Sequence, residues 1–266
     1  MRHAIAHLFL DMAAGIVRRV HPPETVQLAA VRLIDRSAPL LARAYGVGRR
    51  ARYHPDRRAT MLSRMLCTIT ERHPAFTLHS RIEQSELLAD ATAGGRGVLV
   101  CTPHMRLAYA AHRALHLRGL NPVFVSVPGN VQRGSHWGDA APLTVLDADR
   151  ADILFLCARH IAAGDVVIAF VDYRLDPPVA RGVPAPVAIS PNAFAWAGIE
   201  RVPLLFMAPR LAPDGHIVLE FARPRPGSGA ATARAFADFI EPRTGWRCIV
   251  QRRKDATGAF SASQGA

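Results

Sequence analysis

Apolar residues recur at helical spacing through the first third of the chain. Two segments show this most clearly, TVQLAAVRLIDRSAPLLARAYG and RRATMLSRMLCTIT. Prolines at positions 22, 23, 55 and 74 separate the helical segments from one another. We therefore predict that residues 1–90 form a helical N-terminal part that packs on the remainder of the protein.

From Gly94 onward, short apolar runs alternate with helical patterns. The alternation predicts strands at 97–101, 121–127, 142–146, 166–171, 202–211 and 216–224, and helices at 105–118, 150–163 and 192–198. Residues 97–127 have the length of a βαβ unit. Pro-Asp-Gly at 213–215 predicts a turn between the last two strands. The expected fold is thus α/β over residues 91–254, with a mixed, mostly parallel central sheet flanked by helices, followed by a flexible tail at 255–266.

The charge of the chain is strongly positive. Its 266 residues include 33 Lys and Arg against 21 Asp and Glu, a formal net charge of +12. Lys254 is the only lysine, which argues against Schiff-base enzymes and P-loop nucleotidases, because both need a lysine in the site. The first 60 residues hold 11 arginines and 4 acidic residues. This helical face is either simply solvated or a basic surface for an anionic lipid or acidic protein.

The cysteines and the N-terminus bear on the cellular compartment. Cys67, Cys101, Cys157 and Cys248 are far apart and lie mostly within apolar runs, as expected of buried free thiols rather than of disulfides or a zinc site. We expect no bound metal. The apolar stretch near the start is interrupted by His7 and Asp11, so we expect neither a signal peptide nor a membrane span. A cytoplasmic protein is predicted, with possible peripheral contact to the inner membrane.

His104 is the candidate catalytic residue. It follows directly after a predicted buried strand, and loops after the carboxyl ends of parallel strands commonly carry function in α/β proteins. A histidine there can act as a general base. The same position would also suit a histidine that only caps the following helix.

Four segments, in this order, resemble the lysophospholipid acyltransferase superfamily, in particular its lipid A late-acyltransferase branch. They are GVLVCTPHMRLAYAAHRALHLRGLNPVFVSVPGN, AAGDVVIAFVDYRLD, RGVPAPVAISPNAFAWAGIERVPLLFMAPRLAPDGHIVLEF and RTGWRCIVQRRK. The first is similar to the block in which a strand leads into a His-x4-Asp/Glu motif. The resemblance implies that His104 removes a proton from an acceptor that attacks an acyl thioester, with the oxyanion held by backbone N–H groups at the start of the next helix.

Two positions depart from the family pattern. Tyr109 stands where the family has the carboxylate of its motif, and Val127 stands where the lipid A enzymes carry an arginine. We expect Tyr109, or a carboxylate from elsewhere, to hold His104. Asp172 is the preferred carboxylate, and Asp139 and Asp176 are weaker candidates. The predicted site is therefore His104, Tyr109 and Asp172 as catalytic residues, with Arg106, Asn130 and Arg174 contacting substrate.

The predicted function is acyl transfer from a coenzyme A or acyl-carrier-protein thioester to a hydroxyl or amine acceptor, in a lipid or secondary-metabolite pathway. The thioester is a co-substrate, and no tightly bound cofactor is expected. An acidic acyl-carrier protein and a small-molecule or lipid acceptor are the expected partners. Two alternatives stay open: a relative that binds an acyl chain or carrier without turnover, and a site that condenses or hydrolyses a thioester-bound intermediate. Nucleic-acid binding is set aside, because the arginines are scattered and no known module is present.

Overall fold

The computed structural model describes residues 2–44, 62, 65, 66, 69, 78–127, 143–174 and 187–250. The helices are α1 (Arg2–Val20), α2 (Pro23–Ala44), α3 (Ser85–Thr92), α4 (Ala110–His116), α5 (Ile153–Ala162), α6 (Asn192–Ile199) and α7 (Gly229–Thr244). A short 3-10 turn, Arg106–Tyr109, precedes α4. The strands are β1 (Ser80–Glu83), β2 (Val98–Thr102), β3 (Pro122–Ser126), β4 (Thr144–Asp147), β5 (Val166–Phe170), β6 (Asp172–Arg174), β7 (Val187–Ile189), β8 (Leu204–Leu211), β9 (Ile217–Ala222) and β10 (Cys248–Val250).

A seven-stranded sheet forms the centre of the fold, in the order β1-β9-β8-β2-β5-β3-β4. Every neighbouring pair is parallel except β8 and β9, which form an antiparallel hairpin. Apolar side chains on its two faces belong to two buried clusters, so the sheet is covered by helices on both sides. The α/β fold with a mixed, mostly parallel sheet and the hairpin near its end are as predicted.

The N-terminal helices pack against this core. Ala13, Val17 and Ile34 belong to the same buried cluster as the sheet residues Val100 and Leu219. A buried polar contact adds to this, because the Gln27 side-chain amide of α2 donates to the carbonyls of His79, at 2.8 Å, and Gly215, at 2.7 Å. The Gln27 amide oxygen also accepts from the His79 N–H at 2.8 Å. The helical part predicted from the sequence is thus present and docked on the sheet.

Four features were not predicted. Strand β1 lies within the predicted helical range and joins the central sheet by pairing with β9. Strands β6, β7 and β10 form a second, three-stranded sheet, and α7 follows β9. The strands β2 and β3 run parallel, as expected of a βαβ unit, but β5 lies between them. Strands of three or four residues are too short to show a period of two, and pairing order leaves no local pattern.

Among the helices that the structure describes, none combines the length and the apolar character that crossing a membrane requires. Cys101, Cys157 and Cys248 are free. The fourth, Cys67, and the predicted tail at 255–266 lie outside the described residues.

Candidate active site

His104 lies at the carboxyl edge of the central sheet. All five residues of β2 are buried, and the chain leaves this strand through Pro103 into a tight turn in which the Met105 N–H donates to the Pro103 carbonyl at 2.7 Å. The His104 side chain is half-buried. Buried neighbours on both sides fix the strand, so the turn that follows it holds the imidazole at the edge where functional loops lie.

Asp172 lies beside this turn. The β2–β5 pairing places Thr102 opposite Phe170, and the Val171 N–H continues it by donating to the Thr102 carbonyl at 3.3 Å. Asp172, the next residue, therefore lies beside His104. Its carboxylate oxygen Oδ1 accepts a hydrogen bond from the backbone N–H of His104. The structure therefore brings together the histidine and the preferred carboxylate. This bond reaches the backbone amide, so Asp172 fixes the turn that carries the imidazole.

Tyr109 meets the imidazole directly. Its phenol oxygen lies 3.4 Å from His104 Nε2, which is long for a hydrogen bond and indicates a weak one. Burial of the phenol raises the pKa of Tyr109, whereas the Ser126 hydroxyl and the positive charge of Arg106 act in the opposite direction. The phenol is thus neutral at pH 7 and can donate to, or accept from, the ring. The Ser126 hydroxyl is close enough to affect this pKa, yet its buried oxygen has no partner at hydrogen-bonding geometry in the described part of the chain.

Aromatic rings surround the histidine. Phe170 stacks on the His104 ring with centroids 4.4 Å apart and an angle of 20°. Tyr109 stacks on Phe124 at 5.3 Å and 24°, and it contacts Phe170 at 5.4 Å. Sequence reasoning missed both phenylalanines. Their position within apolar strands is the only available signal, and it is shared by ordinary core residues.

The structure describes some of the remaining predicted site residues fully, one by its backbone alone, and others not at all. Arg106 is half-buried in the turn after His104 and close enough to Tyr109 to influence its pKa. For Arg174 the structure gives the backbone in β6 only. Asn130, and the alternative carboxylates Asp139 and Asp176, lie outside the described residues. Arg106 is therefore the only predicted substrate contact whose side chain the structure places at this site.

The turn after His104 narrows the choice of oxyanion donors. The segment starts as a 3-10 turn, in which the Met105 N–H is bound to Pro103 and the Ala108 N–H donates to the Met105 carbonyl at 2.9 Å. These two donors are used inside the turn. An oxyanion at this position would therefore be left with the N–H groups of Arg106 and Leu107.

The described residues contain neither a metal-binding cluster of side chains nor a cysteine with a lowered pKa. No group of three or more His, Cys, Asp or Glu side chains there is arranged to hold a metal ion. Burial raises the pKa of Cys101, and it raises that of Cys157 to about 11. The pKa of Cys248 is raised to about 12, first by burial and then by the negative charges of Glu241 and Asp172. A nucleophilic cysteine has a lowered pKa, so these three thiols are unsuited to that role.

Comparison with known proteins adds no family assignment. No protein-family model matches the chain, and no curated protein matches it significantly.

Proposed function

We propose that the protein is an acyltransferase that moves an acyl group from a thioester to a hydroxyl or amine acceptor, with His104 as general base. The observation that supports this most is the meeting of His104, Tyr109 and Asp172 at one edge of the sheet, although up to 68 residues separate them in sequence. A half-buried histidine on a turn held by a carboxylate is a suitable base. The resemblance to the lysophospholipid acyltransferase superfamily supports the choice of reaction.

The proposed step conserves all atoms and charges. The acceptor oxygen or nitrogen attacks the thioester carbonyl carbon while His104 takes the proton from the acceptor. The tetrahedral oxyanion is stabilised by the N–H groups of Arg106 and Leu107. Its collapse breaks the carbon–sulfur bond, and the leaving thiolate takes the proton back from the imidazolium, which leaves His104 neutral.

The donor is a coenzyme A or acyl-carrier-protein thioester, and we favour the carrier protein because of charge. Carrier proteins are acidic, whereas this chain carries a net charge of +12 with 11 arginines in its first 60 residues. The same positive charge would support peripheral contact with an anionic membrane. A cytoplasmic location is part of the proposal, because the free thiols Cys101, Cys157 and Cys248 suit a reducing compartment.

One observation favours a second candidate, a protein that binds an acyl chain or carrier without turnover. The Nε2 atom of His104 faces the Tyr109 hydroxyl, and Phe170 covers one face of the ring. A base must present a ring nitrogen to its substrate, so a catalytic His104 would have to use its other nitrogen or give up the Tyr109 contact when substrate binds.

Incubation of the purified protein with a panel of acyl-carrier-protein and coenzyme A thioesters, followed by mass spectrometry, separates the candidates. Acyl transfer predicts loss of the acyl group from the donor and its appearance on an added amine or alcohol. Hydrolysis would yield the free acid, and simple binding would leave the donor intact. His104→Ala is expected to reduce transfer by about a hundredfold or more, with Arg234→Gln on α7 as a surface control. Full activity of His104→Ala would contradict the assignment.

A further inference from the structure

A pocket of about 310 Å³ lies at the other end of the central sheet. Its walls come from the last turn of α3, from α6, from the start of β8, from the segment 223–227 and from the first turn of α7. Ligand pockets in proteins start at about this volume. The pocket can therefore hold a small organic molecule but not a long acyl chain.

The pocket is separate from the His104 site. Strands β2 and β8 are parallel and pair at Leu99 and Leu204, and Leu204 lines the pocket. His104 follows Leu99 by five residues along a strand that points away from the pocket. At about 3.3 Å per residue, the two sites are roughly 16 Å apart. A ligand here would thus not occupy the proposed catalytic position.

The inner wall is apolar and the rim is cationic. Phe194, Ala197 and Leu205 are buried residues of the wall, and Arg223 and Arg225 lie at the rim. The guanidinium of Arg223 comes no closer than 3.6 Å to the carboxylate of the exposed Asp90. This is a surface ion pair of little strength. In the part of the chain that the structure describes, Arg225 makes no ion pair and no side-chain hydrogen bond. The rim therefore offers uncompensated positive charge to a ligand.

A threonine hydroxyl and a helix start complete the pocket. Thr232 is only 6% exposed, lines the pocket, and has no hydrogen-bond partner for its hydroxyl among the described residues. A Cβ placed on the pocket residue Gly227 would lie 3.9 Å from this hydroxyl oxygen. The start of α7, a helix of 16 residues, adds the partial positive charge of its N–H groups.

The start of α7 is held rigidly beside the pocket. A Cβ on Gly229 would lie 2.6 Å from the Ala195 side chain, so only glycine permits this approach between α7 and α6. The Ser228 side chain accepts from the Ala231 N–H at 3.3 Å and caps the helix. The Thr232 hydroxyl and the helix terminus are thus in place before any ligand arrives, which lowers the entropic cost of binding.

We propose that this pocket binds a small amphiphilic anion, a carboxylate or phosphate monoester attached to a compact apolar group. The anionic group would contact Arg225, Arg223 and the first turn of α7, and it would accept a hydrogen bond from Thr232. The apolar group would lie against Phe194 and Leu205. The two anion types share this chemistry, and the experiment distinguishes them.

Isothermal titration calorimetry with four probes tests the proposal: hexyl phosphate, hexanoate, hexan-1-ol and inorganic phosphate. We expect one of the two amphiphilic anions to bind, and to bind at least about tenfold more tightly than the neutral alcohol, because the alcohol lacks the charge-assisted hydrogen bonds. Whichever of the two anions binds more tightly identifies the head group. Inorganic phosphate should bind more weakly, because it leaves the apolar wall unused.

Two variants locate the binding. Gly198 lines the pocket and a Cβ there meets no atom within 4 Å, so Gly198→Leu adds a bulky side chain at the pocket wall without a backbone clash and should weaken binding. Gly15→Leu on α1, where a Cβ also meets nothing within 4 Å, is the matched control. Arg225→Gln should weaken binding about tenfold, whereas Arg234→Gln should leave it unchanged.

The proposal is overturned if neither anion binds more tightly than hexan-1-ol, if inorganic phosphate binds as tightly as the tighter of the two anions, or if Arg225→Gln and Arg234→Gln behave alike. Because Arg225 is exposed, Arg225→Gln still decides the question if Gly198→Leu fails to fold. Retention of binding in His104→Ala is expected, since the pocket does not depend on the acyltransferase proposal.

Discussion

Replacing Asp172 by alanine tests the contact on which the candidate site depends. The carboxylate is half-buried and accepts the backbone N–H of His104. A hydrogen bond to a charged group contributes about 1.5–3 kcal/mol to stability. Water can replace part of it at a half-buried position, so we expect Asp172→Ala to reduce the free energy of unfolding by about 1.5–2 kcal/mol. In a protein of this size that lowers the melting temperature by roughly 5 °C.

Asp172→Asn separates the hydrogen bond from the charge. The amide oxygen of asparagine can still accept the His104 N–H, so the loss of stability should stay below about 1 kcal/mol. The charge has a second effect in the folded protein, because the negative charge of Asp172 helps to raise the pKa of Cys248 to about 12. Both variants remove this charge, so both should lower the Cys248 pKa.

Urea unfolding measures the loss of stability in each variant. Ultraviolet titration of the thiolate measures the change in the Cys248 pKa, as a difference between wild type and variant. The expected order of stability is wild type, Asp172→Asn, Asp172→Ala, with equal dependence on urea concentration. The reasoning is refuted if Asp172→Ala is as stable as Asp172→Asn, or if the Cys248 pKa stays unchanged or rises in both variants.

Three further predictions follow from other contacts. Gly97→Ala should reduce the free energy of unfolding by about 3 kcal/mol or more, because its Cβ would overlap the Asp165 carbonyl; urea unfolding of Gly94→Ala, whose Cβ meets nothing within 4 Å, is the control. Tyr109→Phe should slow acyl transfer by less than about tenfold, since the 3.4 Å contact with His104 is weak; a hundredfold loss in the thioester assay would give the hydroxyl a direct role. For Cys157, burial raises the pKa from 9.0 to about 11, so above pH 9 the unfolded chain ionises first and stability falls, by about 1 kcal/mol at pH 10. In urea unfolding measured at pH 7 and pH 10, Cys157→Ala should reduce this loss of stability by about 1 kcal/mol. The part that comes from the raised pKa values of Cys101 and Cys248 should remain, and an unchanged loss would contradict the assignment.

The main strands could be predicted because they are buried on both faces. Such strands give uninterrupted apolar runs, as at 98–101 and 166–170. Strand β1 could not be predicted in this way, because it has only four residues and none of them is fully buried. The basic N-terminal helices were visible from their spacing. Their docking on the hairpin through Gln27 was not, since a single buried glutamine leaves no periodic signal.

The candidate site was predictable in part. His104 and Asp172 each follow an apolar strand, and parallel strands end at the same edge of a sheet. That argument suffices to expect them close together. It does not reveal which atoms meet, and the bond found here involves the His104 backbone N–H. Tyr109 was expected because it stands at the carboxylate position of the His-x4-Asp/Glu motif in the family that the chain resembles. In the structure, the 3-10 turn Arg106–Tyr109 brings it back to His104.

The missed residue Phe170 and the missed strand order have one physical cause. The length of residues 97–127 suggests that β2 and β3 are neighbours, but β5 lies between them. The residue that ends β5 therefore comes between the groups that end the outer two strands. Phe170 stacks on His104 after β2 at 4.4 Å and approaches Phe124 of β3 at 6.2 Å, while Tyr109 contacts both phenylalanines. Direct pairing of β2 with β3 would leave no room for Phe170 between them, so the apolar surroundings of the histidine depend on the insertion of β5.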